Sequence, residues 1–276
     1  MPKIWAGLFA LVAATAVTTA AGARRTATHA YAEPAWSPNG RQIAFIDRRG
    51  GGLFVVRPDG THLRTVLPVG TTVAYPAWAP RSRKLAVTGV ATLNVDGTGW
   101  QRLENGCCPD WSPRGRKIAF VEGGESGGAE IWSMNPDGSH EALVAAPDDG
   151  LHSFSMPTWS PNGQRLALSI GSADAADATR SLGIVSSYRG RVRHVLASYD
   201  PWEPDWSPDG SRIAFSDRMV EIDVWNLRTG RVHELHAGEH PRWSPTSRQI
   251  VFSYRGGIYV MDARGKHARE IVSSAG

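Results

Sequence analysis

Cysteine is nearly absent from this 276-residue chain: there are two, and they are neighbours, Cys107 and Cys108. That excludes a zinc module built on paired Cys-x-x-Cys spacings and a multi-disulfide framework. Long apolar runs are also missing beyond the first two dozen residues, so no later segment is long enough to span a bilayer. Charge is close to balanced, with 30 Lys and Arg against 26 Asp and Glu. The small excess, mainly arginine, is spread over turns and polar strands rather than gathered in runs. Neither a basic stripe nor a recognition helix can be read, so nucleic acid is not an expected partner.

What the chain does contain is repetition. Pro34-Ala-Trp36-Ser-Pro38-Asn-Gly40 returns as Pro76-Ala-Trp78-Ala-Pro80, Pro109-Asp-Trp111-Ser-Pro113, Pro157-Thr-Trp159-Ser-Pro161, Pro204-Asp-Trp206-Ser-Pro208 and Pro241-Arg-Trp243-Ser-Pro245. Trp36 and Trp243 are 207 residues apart in five steps, a period of about 41, which fits a four-stranded propeller blade and is too long for a leucine-rich repeat. Ser-Pro-Asn/Asp-Gly suits a three-residue hairpin loop, because Pro presets the first turn position and Gly takes the left-handed one. Gly is replaced in the second and sixth copies by Ser82 and Ser247, which predicts left-handed strain there.

Each phrase is followed by a short apolar strand such as Ile118-Ala-Phe120, then a third strand such as Ile131-Trp-Ser-Met134. A second turn such as Pro136-Asp-Gly138 leads to a polar fourth strand. That polarity marks the fourth strand as a blade's outer edge, and the Trp-bearing strand as the inner one. An indole there buries roughly 150 to 250 Å² between neighbouring blades. The expected fold is therefore all-β, a six-bladed β-propeller of four-stranded antiparallel blades at about 30–69, 70–104, 105–147, 148–198, 199–237 and 238–276. Ring closure is expected from packing of the sixth blade on the first, unless residues 24–29 cross over as an edge strand.

The pattern Pro-x-Trp-Ser-Pro-Asp/Asn-Gly, followed by Ile-Ala-Phe, Ile-Tyr/Trp-x-Met and Asp-Gly, resembles the TolB-type, or WD-like, propeller repeat, and does so over nearly everything after residue 29. The resemblance implies a fold more than a function, since such repeats serve envelope scaffolds, regulatory domains of peptidases and some lyases.

Residues 1–23 read as a signal peptide: Lys3 supplies the positive start, Ile4 to Ala14 an apolar core, and Ala21-Gly-Ala23 a small-x-small cleavage signal. The remainder, 24–276, is expected to be exported to the periplasm, cell envelope or exterior, as a monomer without a transmembrane anchor. In that setting Cys107 and Cys108 form either a vicinal disulfide or a pair of buried thiols; adjacent Cα atoms lie about 3.8 Å apart, below the usual disulfide range. Gly124-Glu-Ser126-Gly-Gly128 matches a nucleophile-elbow spacing, but a strand follows where a helix is needed, so it reads as a loop. The insertion from Ser172 to Arg180 fits no calcium loop and reads as solvated surface.

Function is expected where the inner strands begin, at the channel mouth. The residues preceding the repeated Pro are Glu33, Tyr75, Cys108, Met156, Glu203 and His240. In a closed ring Glu33, Glu203 and His240 share one polar sector, with Asp200 and Glu239 behind, opposite the softer Tyr75, Cys108 and Met156. Two carboxylates and an imidazole suit one divalent metal ion in the channel; the alternative is a row of solvated loop residues. Two functions follow. One is a non-catalytic scaffold, without a cofactor, that binds a protein or peptide. The other is a metal-assisted lyase or hydrolase acting on an acidic or carbohydrate substrate.

Overall fold

A computed structural model describes residues 29–81, 83–123, 128–147, 152–172, 180–197, 199–217 and 221–275. The expected signal peptide, most of the loop at Gly124 and the centre of the insertion after Ser172 lie outside the described residues.

Twenty-four strands form six four-stranded antiparallel sheets, and no helix occurs among the described residues. Within every sheet the strands neighbour one another in chain order. The inner strands are Tyr31–Trp36, Ala77–Trp78, Cys107–Trp111, His152–Trp159, Pro201–Trp206 and Glu239–Trp243. Because each blade is a meander, the starts of all inner strands share one face of the disc with the turns between second and third strands. The hairpin turns after the first and third strands occupy the opposite face.

The core lies between blades. Second strands such as Ile43–Asp47 are buried along their whole length, and the Phe45, Phe120, Phe215 and Phe252 side chains are fully enclosed. Two of the six repeat indoles also bond between blades, Trp78 Nε1 donating to Ala35 O of the preceding blade at 3.0 Å and Trp159 Nε1 to Asp110 O at 3.2 Å, while Nε1 of Trp36, Trp111, Trp206 and Trp243 has no such partner among the described residues. Each such bond ties one spoke to the next while its ring excludes water.

The Ser-Pro-Asn-Gly turn closes one residue later than expected. Ser37 N donates to Gln42 O at 2.8 Å, leaving four residues in the loop rather than three. Ser37 Oγ is the reason, since it accepts Gln42 N at 2.9 Å and donates to Asn39 Oδ1 at 2.9 Å. Ser247 takes the left-handed conformation anticipated for it, φ 58°. Its Oγ accepts Asp209 N, and its carbonyl accepts Arg212 Nη2 from blade five, at 3.1 Å each.

Blade one completes its own four strands, so closure comes from packing against blade six. Two backbone bonds stitch that seam, from Tyr31 N to Gly256 O at 2.9 Å and from His29 N to Ser274 O at 3.3 Å.

Candidate functional site

All six residues before the repeated Pro have φ between 51° and 57°, although none is glycine. Pro normally pushes its predecessor into extended backbone, so six left-handed residues at equivalent points are a built feature. The cause is a bulge in the inner strand. Between the pairs Ala32↔Ile46 and Ala35↔Ala44 the inner strand advances three residues while its neighbour advances two. The extra residue turns the Pro-x-Trp segment, and this re-aims the side chains that follow.

The bulged side chains are buried beneath the mouth rather than displayed in it. Glu33, Cys108, Met156, Glu203 and His240 are all inaccessible, and Tyr75 is half-buried. Cys108 and Met156 belong to one apolar cluster, with Tyr75, Cys107 and Trp202 packed on it. Cys107 and Cys108 are joined as a vicinal disulfide.

The structure brings the polar sector together through a residue the sequence did not single out. Arg48, at the end of the second strand of blade one, donates from Nη2 and Nε to Glu33 Oε1 at 2.8 and 3.2 Å. The same Nη2 lies 2.8 Å from His240 Nε2, across the closure seam. The other oxygen of Glu33 accepts the backbone N–H of Tyr75 in blade two. On the far side of the imidazole, Nδ1 lies 2.6 Å from Ser253 Oγ, whose own hydrogen goes to Glu239 O at 3.1 Å. These directions fix the tautomer: Nδ1 carries the proton, and Nε2 accepts from Arg48.

His240 is 1% exposed, and burial, reinforced by Arg48 and Arg242, pushes its pKa well below the ordinary value, so the ring is neutral. Glu203, also 1% exposed, places Oε1 3.4 Å from Nε2, yet neither of its oxygens has a hydrogen-bond partner. Burial pushes this carboxyl up to about 8, against the opposing pull of Arg242. The contact is therefore a carboxylic acid beside a neutral imidazole, not an ion pair. Asp200 stands apart, 3.9 Å from Arg180, and Glu239 Oε2 is 3.8 Å from Nδ1.

A divalent ion does not fit Glu33, Glu203 and His240 as they are arranged. The Nε2 lone pair and both Glu33 oxygens are already engaged, and Glu203 keeps its proton. Among the described residues no group of three His, Cys, Asp or Glu is placed to hold a metal.

The central cavity is bordered by Glu33, Tyr75, Cys108 and Met156 and, in all six blades, by a second position, the residue between the repeated Pro and Trp. Around the ring these are Ala35, Ala77, Asp110, Thr158, Asp205 and Arg242, and the cavity measures about 160 Å³. Asp110 Oδ2 accepts Trp159 N at 2.8 Å and Asp205 Oδ2 accepts Trp243 N at 2.7 Å, so each carboxylate also fastens the next blade. The enclosing wall pushes their pKa values up to about 7 and about 6. Sequence reasoning missed this ring, although three charged residues among six at that one repeat position were its signal.

Around the mouth, groups remain open on blades four, five, six and one. Arg180 covers the Trp202 ring at 4.6 Å and Arg255 lies 5.0 Å from the Tyr254 ring. Arg48 keeps 40% of its side chain exposed, and Tyr199 is exposed nearby.

No family model matches the sequence. A curated protein from Bacillus subtilis (strain 168), the uncharacterized peptidase YuxL, is 26% identical over 198 residues, which is 67% of this chain but only 28% of that protein. Among solved structures, TolB from Acinetobacter baumannii aligns with a TM-score of 0.66 at 19% identity, covering 88% of this chain and 63% of its own. The chain therefore spans just under two thirds of that TolB. The oligogalacturonate lyase of Vibrio parahaemolyticus aligns at 0.56 with 12% identity, covering 83% and 76%, and a structure of a nidogen/laminin complex at 0.63 with 12%, covering 76% and 81%. At such identities the likeness is one of architecture, and by that measure the chain folds as a TolB-like six-bladed β-propeller.

Proposed function

We propose that this protein is an exported, non-catalytic propeller that binds a segment of a partner protein across its channel mouth in the cell envelope or outside the cell. The observation that carries this reading is the sealing of the mouth's reactive groups. His240 and Glu203 face no solvent, and Glu33 is clamped, while arginines and aromatic rings stand open around them beside a partly exposed Glu239. Arg, Tyr and Trp are the residue types enriched at protein interfaces and at their energetic centres. A nidogen/laminin complex, two proteins joined, is among the structures that share the architecture.

A photo-reactive residue at position 255, on the mouth face, should trap a discrete protein adduct in the producing cell. The same residue at position 140, on the opposite face, should trap none. Adducts from neither position, or equally from both, would remove the proposal. The competing reading, a metal-assisted lyase or hydrolase, is favoured by the fold shared with oligogalacturonate lyase. It requires Arg48 to vacate His240; a stoichiometric divalent ion in the purified protein, lost in Glu203→Ala, would establish it instead.

A further inference from the structure

Arginine is expected to be scattered, but blade four gathers it. Three contiguous hollows of about 450 to 490 Å³ run along the outer part of this blade where it meets the outer strand of blade three, the first sharing Ala146 and Arg191 with the second and Arg193 with the third. Among the described residues their walls carry Arg165, Arg189, Arg191, Arg193, His152 and His194, and no Asp or Glu; Arg191 and His152 are already engaged with neighbours. In a chain whose charges nearly cancel, such segregation is not the default.

The outer strand Arg193–Leu196 and the turn before it supply most of these groups. Among the described residues no carboxylate lies within ion-pair range of Arg165, Arg189 or Arg193. Among the described residues His194 Nδ1 meets Ser181 Oγ at 3.3 Å, and its ring stands edge-on to His152 at 6.2 Å. Charges on an edge strand guard against pairing with another chain. Guarding, however, requires no concavity and no apolar floor, and this groove has both: Phe154, Ile184, Val185 and Val192 line it between the cations. Tyr188, 87% exposed, stands at one end.

We propose that this groove binds a carboxylated polysaccharide. Guanidinium forks match carboxylates in bidentate geometry, and a row of them reads a chain that repeats a carboxylate along its length. The apolar floor and the Tyr188 ring then meet the C–H faces of the sugar rings. A single strand of nucleic acid calls for a ladder of stacking rings, whereas the exposed rings here are Tyr188 and His194, and the latter stands edge-on to His152. A bilayer surface does not enter a hollow. The arginines tested below belong to the outer strand and the turn before it, so their exchange is distinguishable from loss of partner binding at the channel.

Retention of the full chain on immobilised alginate, with neutral dextran as the reference, is the test, run at about 0.15 M salt so that long-range attraction is screened. Wild type should be held by alginate and not by dextran. Exchanging Arg189, Arg191 and Arg193 together for Gln should weaken binding roughly ten-fold or more with the thermal transition unmoved. Exchanging Arg41, Arg57 and Arg228, which removes equal charge elsewhere, should leave binding intact. If the triple variant fails to fold, Arg165→Gln with Arg193→Gln replaces it and should weaken binding in the same direction. Equal loss in the groove and control variants, tighter binding to polyphosphate or single-stranded DNA, or no retention on alginate would each overturn the proposal.

Discussion

Replacing Arg48 by Met lowers the stability of the folded chain by about 2–3 kcal/mol. Removing one partner of a fully buried ion pair typically costs about 3–5 kcal/mol, because the other charge is left uncompensated. The figure is smaller here because 40% of the Arg48 side chain reaches solvent, which screens the pair. Glu33 would lose its guanidinium, and His240 Nε2 would lose the donor at 2.8 Å. Since Arg48 links blade one to blade six, the loss falls on the closure seam. Urea denaturation measures it, and adding Glu33→Gln to Arg48→Met should recover part of the stability by removing the stranded charge. Strict additivity of the two substitutions would show that the pair is not coupled.

Glu203→Gln has the second large effect, and it depends on pH. In the unfolded chain this carboxyl titrates near 4.5; in the folded protein it is pushed up to about 8. The folded state thus holds a proton that the unfolded state releases, so wild-type stability falls as pH rises between these values. His240 acts at the other end. Its folded pKa is depressed below 6.5, so stability falls as pH drops below that point. Below pH 6.5 the two effects oppose each other, and above it only the decline toward pH 8 remains. Glu203→Gln removes the decline, so the variant should exceed wild type by about 2–4 kcal/mol at pH 9 and match it within about 1 kcal/mol at pH 5. Guanidinium denaturation at the two pH values reads the difference; a variant weaker than wild type at pH 9 would mean that Glu203 is ionised and compensated.

Much of the architecture is legible in the chain because its signals are local and repeated. A Trp fixed two residues after a Pro, a Pro-Gly turn and a short apolar strand each specify a blade element, and six copies fix the number of blades. The polar sector was legible only in part. Its members could be named because they precede the repeated Pro, but their burial could not, because Pro argues for extended backbone and the bulge imposes the opposite. Arg48 escaped notice for a different reason: its partner His240 is 192 residues away, and only ring closure makes them neighbours. The channel ring of Asp110, Asp205 and Arg242 was hidden by attention to the position before Pro rather than the one after it. Likewise Arg189, Arg191 and Arg193 read as an ordinary polar edge until the third dimension added the hollows beside them.

The central claim is that His240 is a sealed structural member of the ring and not a ligand or base awaiting substrate. The most direct test is a titration of nitrogen-15-labelled imidazole by NMR from pH 5 to 8, with His240 assigned by its Gln variant. The account predicts a ring that is neutral and protonated on Nδ1 at pH 6.5 and gains a second proton only well below that. A His240 resonance that titrates near 6.5, as an accessible imidazole does, would contradict it.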